Sequence, residues 1–365
     1  MWNVMRYTKV MIQVQENASL VQYSTMRLGG SARYLVEIAS EDDLLESLKF
    51  ASEKNLKIHV VGTGSNTIFQ DEGFHGLVIV NRIIGVTEES HDDTTVLTVG
   101  AGENWDDIVA RSVNLGHSDI AVLSMIPGTV GAAPVQNIGA YGQQISDSIV
   151  SVRAYDTNTS EFSEVSKEAC EFSYRHSRFN STDKDRFIIT SIKMRLCRKT
   201  IKPPLYADIE KYFTSNNIVA ESVTPQDLRA AVIHIRSVKL PDPSVVANCG
   251  SFFKNPVITN GHFQDFKKKH PEISSTPDGW SQPPYWNLPD NTVKLAAGWL
   301  VEQAGFKDYH DAKTGMATWK NQSLVLINES AKTTVDLTAF KEMIVSSVYE
   351  KFGITLKQEP ELVAA

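Results

Sequence analysis

At 365 residues the chain is too long for one ordinary core, and at roughly 150 residues per domain it predicts two or three domains. With 42% hydrophobic and 22% charged residues it is composed as a globular protein, and a net charge of -7 excludes the basic excess of a nucleic-acid binder. Three widely spaced cysteines, Cys170, Cys197 and Cys249, exclude a Cys-x-x-Cys zinc or redox site and suit a reducing compartment.

Met1 to Lys9 lacks the basic start, apolar run and small-residue cleavage site of a leader, and no apolar stretch approaches the roughly 20 residues of a membrane span. The chain therefore reads as soluble and cytoplasmic, with no membrane partner. Ala32 to Ile38 is predicted extended, Glu41 to Glu53 helical with Ser40 as its cap, and Ile58 to Val61 a short buried strand, which is βαβ grammar. Leu77 to Val80 and Val96 to Val99 read as strands leading to a helix that begins near Asn104.

Pro203-Pro204, Thr224-Pro225 and Pro241-Asp242-Pro243 then punctuate a connection carrying one predicted helix, Pro225 to Arg236. Beyond it, Val293 to Ala304 shows helical spacing that stops at Gly305. Asp336 is read as capping a second helix through Leu337, Phe340, Ile344 and Val348, ending at Gly353, and Ile354 to Leu356 reads as a last strand.

Two segments are rich in glycine. Gly62-Thr63-Gly64-Ser65-Asn66 directly follows a strand and exposes backbone N–H groups suited to a pyrophosphate. It fails the Rossmann fingerprint, since Thr67 stands at the third glycine's place, and alone it reads as a tight turn. The second segment, Ile126 to Gly142, holds Pro127, Gly128, Gly131, Gln136, Asn137, Gly139, Ala140 and Tyr141 and is too small-residue-rich for a packed helix or central strand. Two such loops on one α/β frame point to a large extended ligand. Nine histidines without paired spacing suggest no metal.

Over nearly its whole length the chain resembles the UDP-N-acetylenolpyruvoylglucosamine reductases of bacterial peptidoglycan synthesis. The resemblance rests on Ser24-Thr-Met-Arg-Leu-Gly-Gly, Gly62 to Asn66, Val99-Gly-Ala-Gly-Glu-Asn-Trp, Ile126 to Gly142 and Tyr174-Arg175, then on Lys239-Leu-Pro-Asp-Pro, Cys249-Gly-Ser-Phe-Phe-Lys-Asn-Pro, Lys294-Leu-Ala-Ala-Gly-Trp-Leu and Glu359-Pro-Glu361. It implies a mixed α/β fold: a two-lobed FAD-binding fold of the vanillyl-alcohol-oxidase type plus a C-terminal α/β domain. The expected parts are residues 1–82 and 83–200 as the FAD lobes, the second completed by 354–365, residues 201–243 as a lid carrying Tyr206, and 244–353 as the substrate domain.

The resemblance also implies non-covalent FAD on both glycine loops, NADPH as co-substrate, a nucleotide-sugar substrate and a monomer. NADPH reduces the flavin, and hydride passes from flavin N5 to the enol ether. Arg175 then holds the substrate carboxylate, Ser251 donates the proton and Glu361 assists as a neutral acid. Lys239, Tyr206, Asn255, Gln322, Arg236, Tyr141 and Tyr285, with Trp286 beside it, are the expected substrate contacts. Without the resemblance, Arg175 reads as a structural ion pair, Lys239 as solvated, Ser251 as a strand-edge hydroxyl beside two core phenylalanines, and Trp280, Tyr285 and Trp286 as domain core.

Where the family continues with a hydrophobic residue, an arginine, two hydrophobics and a glycine, this chain ends in Leu362-Val363-Ala364-Ala365, so Glu361 is expected on a loosely held terminus. Two alternatives remain open at this level. One is an oxidase on the same flavin fold, which usually attaches its flavin to His or Cys near the loops, where no cysteine is expected here. The other is a non-catalytic nucleotide-sugar binder.

Overall fold

Phe74–Asn81 is buried at every residue but His75, as expected of a parallel strand covered on both faces. In the computed structural model, which describes residues 12–201, 205–219, 222–277 and 283–365, this strand lies inside a four-stranded sheet. The order is Val14–Ser19, Ser31–Ile38, Phe74–Asn81, Ile58–Val61, the first pair antiparallel and the others parallel. Helix Glu41–Glu53 makes the crossover; the Ser40 hydroxyl accepts from the Asp43 N–H at 3.1 Å and three acidic residues face the positive helix end. Met1 to Lys9, Pro203-Pro204 and Trp280 lie outside the described residues.

The second sheet is antiparallel, ordered Glu161–Ser166, Ile149–Asp156, Phe187–Cys197, Thr94–Gly100, Val86–His91. Helix Trp105–Asn114 covers it, capped by Asn104, and Trp105 turns its indole N–H to the Leu123 carbonyl at 3.0 Å. Tyr155 and Ile188 of this sheet share a core cluster with Val36, Leu77 and Ile79 of the first, so the two sheets are packed together.

Among its described residues the 201–243 connection carries two α-helices, where one was expected: Ala207–Ser215 and Pro225–Lys239. Ile209 and Phe213, then Leu228, Ala231, Val232 and Ile235, join the second sheet's core. Prolines on either side obscured the i, i+4 spacing of the first helix.

The third region holds a sheet ordered Ala247–Ser251, Gln322–Asn328, Met316–Trp319, His310–Asp311 and a smaller one of Val257–Thr259, Thr292–Leu295, Tyr285–Asn287. The predicted helix Val293 to Ala304 is corrected: Thr292–Leu295 is a strand and only Ala297–Gln303 is helical. Val293 and Leu295 are buried alternately between two neighbours, a period of two that a helical reading absorbed. Helix Thr334–Phe352 is capped by Thr333, with Asp336 as the return partner of the capping box, and Gly353 ends it at φ 67°.

The C-terminus is tied down, against expectation. Ile354 and Leu356 are buried, but pairing begins at Lys357–Gln358, against Phe253–Lys254 of the third region. Glu361–Val363 then runs parallel to Thr67–Phe69, and Gln70 N–H reaches the Val363 carbonyl. The segment expected to complete the second lobe strand-pairs with the first lobe and the third region, and meets the second lobe through Gln136, Arg175 and Lys184.

Candidate active site

A cavity of about 1080 Å³ opens where the three regions meet, just above the roughly 300–1,000 Å³ range of ligand pockets. Gly62, Gly64, Ser65 and Asn66 line it, as do Pro127, Gly128, Gly131, Gln136 and Gly139. The first loop is shaped by protein contacts: a Cβ on Gly64, at φ 71°, would stand 1.8 Å from the Tyr23 carbonyl oxygen, and one on Gly62 2.4 Å from the Thr129 hydroxyl. Ser65 Oγ donates to the Pro127 carbonyl at 3.1 Å, locking the two glycine loops together.

Asn137, Ala140 and Tyr141, expected at the cofactor, are not among the cavity-lining residues. Asn137 organises its loop: Nδ2 donates to Gln144 and to the Ser173 carbonyl, while Oδ1 accepts from Ser146 N–H. Tyr141 packs edge-on against Tyr206 at 5.3 Å, and burial pushes its hydroxyl up to about 12.

Ser251 ends the strand Ala247–Ser251 and lines the cavity. A register shift between Asn248 and Ser251, with Gly250 at φ 69°, breaks the alternation; Phe252 and Phe253 then turn into the core. No atom would crowd a Cβ at Gly250, so backbone conformation is what calls for glycine there. Arg175 lines the same cavity from a strained backbone at φ 52°. Its Nε donates to Glu359 Oε1 at 2.9 Å and its Nη2 to the Gly139 carbonyl at 3.0 Å.

Glu361, expected beside these two, lines the same cavity, but its carboxylate does not meet Arg175. Its carboxylate pairs with Lys184 of the second lobe at 2.8 Å, while its backbone N–H bonds to the Asn66 carbonyl of the first. The carboxylate that meets Arg175 belongs to Glu359, which sequence reasoning quoted in its motif without giving it a role. Burial pushes the Glu359 carboxyl up, against the opposing pull of Arg175 and Lys254. Only the strand pairing around Pro360, with no local sequence signal, decides between the two acids.

The expected substrate contacts form two groups. Arg236 lines the cavity; its Nη2 donates to the Met125 carbonyl, while its Nε is buried without a partner among the described residues. Burial pushes its pKa down, as for a cation awaiting an anion. Near it, Lys239 is held by Asp208 at 2.6 Å, linking the two helices of the connection, and Tyr206 begins the first of them.

Asn255 and Gln322 converge on helix Ala297–Gln303: Asn255 Oδ1 accepts from Ala297 N–H at 2.9 Å, and Gln322 Oε1 lies 2.8 Å from where a Gly298 Cβ would stand. Tyr285 packs on Phe263 at 4.7 Å and Trp286 carries Lys294 over its ring at 5.0 Å, both against the third region's core.

Lys254, His59, Lys184 and Cys249 also line the cavity and were missed. For Cys249 this corrects the expectation that no cysteine approaches the loops, although burial pushes its thiol up to about 12, far from the reactive thiolate. No cluster suited to a metal occurs among the described residues, and no helix among them is long and apolar enough to cross a membrane.

The loops and cavity suit an extended dinucleotide: two interlocked glycine turns and a buried His59 Nε2 without a partner among the described residues face one space. Sequence and structure comparisons agree with that fit. Residues 32–165 match the FAD binding domain family, and residues 242–363 match the UDP-N-acetylenolpyruvoylglucosamine reductase C-terminal domain. The UDP-N-acetylenolpyruvoylglucosamine reductase of Cupriavidus pinatubonensis is 36% identical over 350 residues, covering 96% of this chain and 99% of its own. That of Alcanivorax borkumensis is 38% identical, covering 95% and 96%. The crystal structure of UDP-N-acetylenolpyruvylglucosamine reductase from Thermus caldophilus superimposes with a TM-score of 0.64 at 19% identity over 96% of this chain and 99% of that one, which speaks for the fold.

Proposed function

This chain belongs to the UDP-N-acetylenolpyruvoylglucosamine reductase family, and from that premise we propose how its residues divide the work. It is an FAD-dependent oxidoreductase of peptidoglycan precursor synthesis, reducing a nucleotide-sugar enolpyruvyl ether. Our reading adds NADPH as the reductant, UDP-N-acetylmuramate as the product, a cytoplasmic setting and a monomer.

When bound, FAD supplies the hydride. Gly62, Gly64, Ser65 and Asn66, with Pro127, Gly128, Gly131, Gln136 and Gly139, form its cradle; the loop interlock at Ser65 and Pro127 supports this. Arg175 binds the substrate carboxylate, where negative charge builds as the double bond is reduced, and a preorganised guanidinium opposes that charge in a site shielded from water. Ser251 Oγ gives its proton to the carbon beside the carboxylate. Arg236 and Lys239 serve the diphosphate, with Tyr206 and Tyr141 closing over it; Asn255, Gln322 and Tyr285 belong to the same substrate side. Glu361, held by Lys184, supports the cofactor side of the cavity.

The observation that carries this reading is that Ser251 and Arg175 line the same cavity as both glycine loops. The test is direct. Purified protein should be yellow, NADPH should bleach it without oxygen, and the enolpyruvyl nucleotide sugar should restore the colour; a reduced flavin that this substrate leaves bleached contradicts the proposal.

A further inference from the structure

Glu359 sits at a junction. Its backbone N–H donates to the carbonyl of Phe252, the neighbour of Ser251; its own carbonyl accepts from Gln136 of the second glycine loop; its side chain holds Arg175. The side chain is 12% exposed and that of Arg175 21%. Of the five guanidinium donors, Nε is taken by Glu359 and Nη2 is engaged by the Gly139 carbonyl; Nη1 has no hydrogen-bond partner among the described residues.

We infer that Glu359 is a positioning residue for Arg175, fixing the guanidinium through Nε so that Nη1 is left for the substrate carboxylate, and that Glu359 takes up one proton as that carboxylate arrives. The inference rests on the substrate reading above. Substrate carboxylate and Glu359 then share one guanidinium in a shielded site, where like charges at close range raise the pKa of one of them.

The groups facing Glu359 are Arg175, Lys254 and Tyr174, with Lys294 behind Arg175. Its carboxyl is already pushed up by burial, so Glu359 is the acid that yields, while the substrate carboxylate keeps its charge. The balance is simple: a proton from solvent joins Glu359, one negative charge remains opposite Arg175, and no oxidant or reductant is involved. Glu359 then stands as a neutral acid close to the strand that presents Ser251.

The test is calorimetric titration of the FAD-loaded enzyme with UDP-N-acetylmuramate near neutral pH, in two buffers of different ionisation heat. Wild type should take up close to one proton per molecule bound. Glu359→Gln keeps an oxygen for Nε; it should bind within about threefold of wild type and take up none. Glu359→Ala loses the hold on Nε and should bind about tenfold more weakly, in line with a lost charge-assisted hydrogen bond. Equal proton uptake in wild type and Glu359→Gln, or its loss in Glu361→Gln instead, overturns the inference alone. Failure of wild type to bind the nucleotide sugar overturns the substrate reading and the inference together.

Discussion

Glu359 and Glu361 are two residues apart, yet they meet different cations at different depths. Glu359 is sealed at the seam between the third region and the glycine loops, bonded to Arg175, with a carboxyl pushed up by burial. Glu361 lies at the edge where the first lobe meets the second, its side chain 36% exposed and paired to a Lys184 that is 50% exposed. One motif thus contributes a shielded acid and a solvated one, and it is the surroundings that separate their roles.

The strongest way to break this contrast is at the seam. Arg175→Ala should lower kcat/KM for the enolpyruvyl substrate by about 10⁴-fold, combining lost charge stabilisation with lost binding. Flavin reduction by NADPH should stay within about threefold of wild type. Rapid-mixing kinetics of the two half-reactions would show it, and proportional losses in both would make Arg175 structural.

A middle-sized effect tests whether seam and edge are coupled through the strand they share. Val363 is 6% exposed in the first lobe's core, so Val363→Asp should destabilise by about 3 kcal/mol by burying an unpaired charge. Thermal unfolding measures this. Weakened product binding alongside would show that anchoring Glu361–Val363 also holds Glu359 in place. Smallest is the edge itself: Glu361→Gln removes a half-exposed ion pair and should cost under about 1 kcal/mol, with turnover within about threefold. A collapse of turnover in Glu361→Gln would return the acid role to Glu361.

Much of this arrangement was legible beforehand. The βαβ start, the Ser40 cap, the helix start near Asn104 and the two glycine loops follow from local periodicity and backbone chemistry, which act within a few residues. What escaped depends on distant pairing. Thr292–Leu295 is a strand only because Val257–Thr259 and Tyr285–Asn287 flank it, and the last residues are ordered only because Thr67–Phe69 accepts them. The choice between Glu359 and Glu361 is of the same kind: motif chemistry offers both carboxyls, and chain placement decides which one meets Arg175.

The central claim is that the reaction is completed at the Ser251 and Arg175 corner of a flavin cavity, and Ser251→Ala tests it most directly. The variant should bind FAD and be bleached by NADPH at a near-normal rate, while reoxidation by the enolpyruvyl nucleotide sugar falls about 10³-fold, as for loss of a general acid. Equal slowing of both half-reactions, or reoxidation at the wild-type rate, would contradict it.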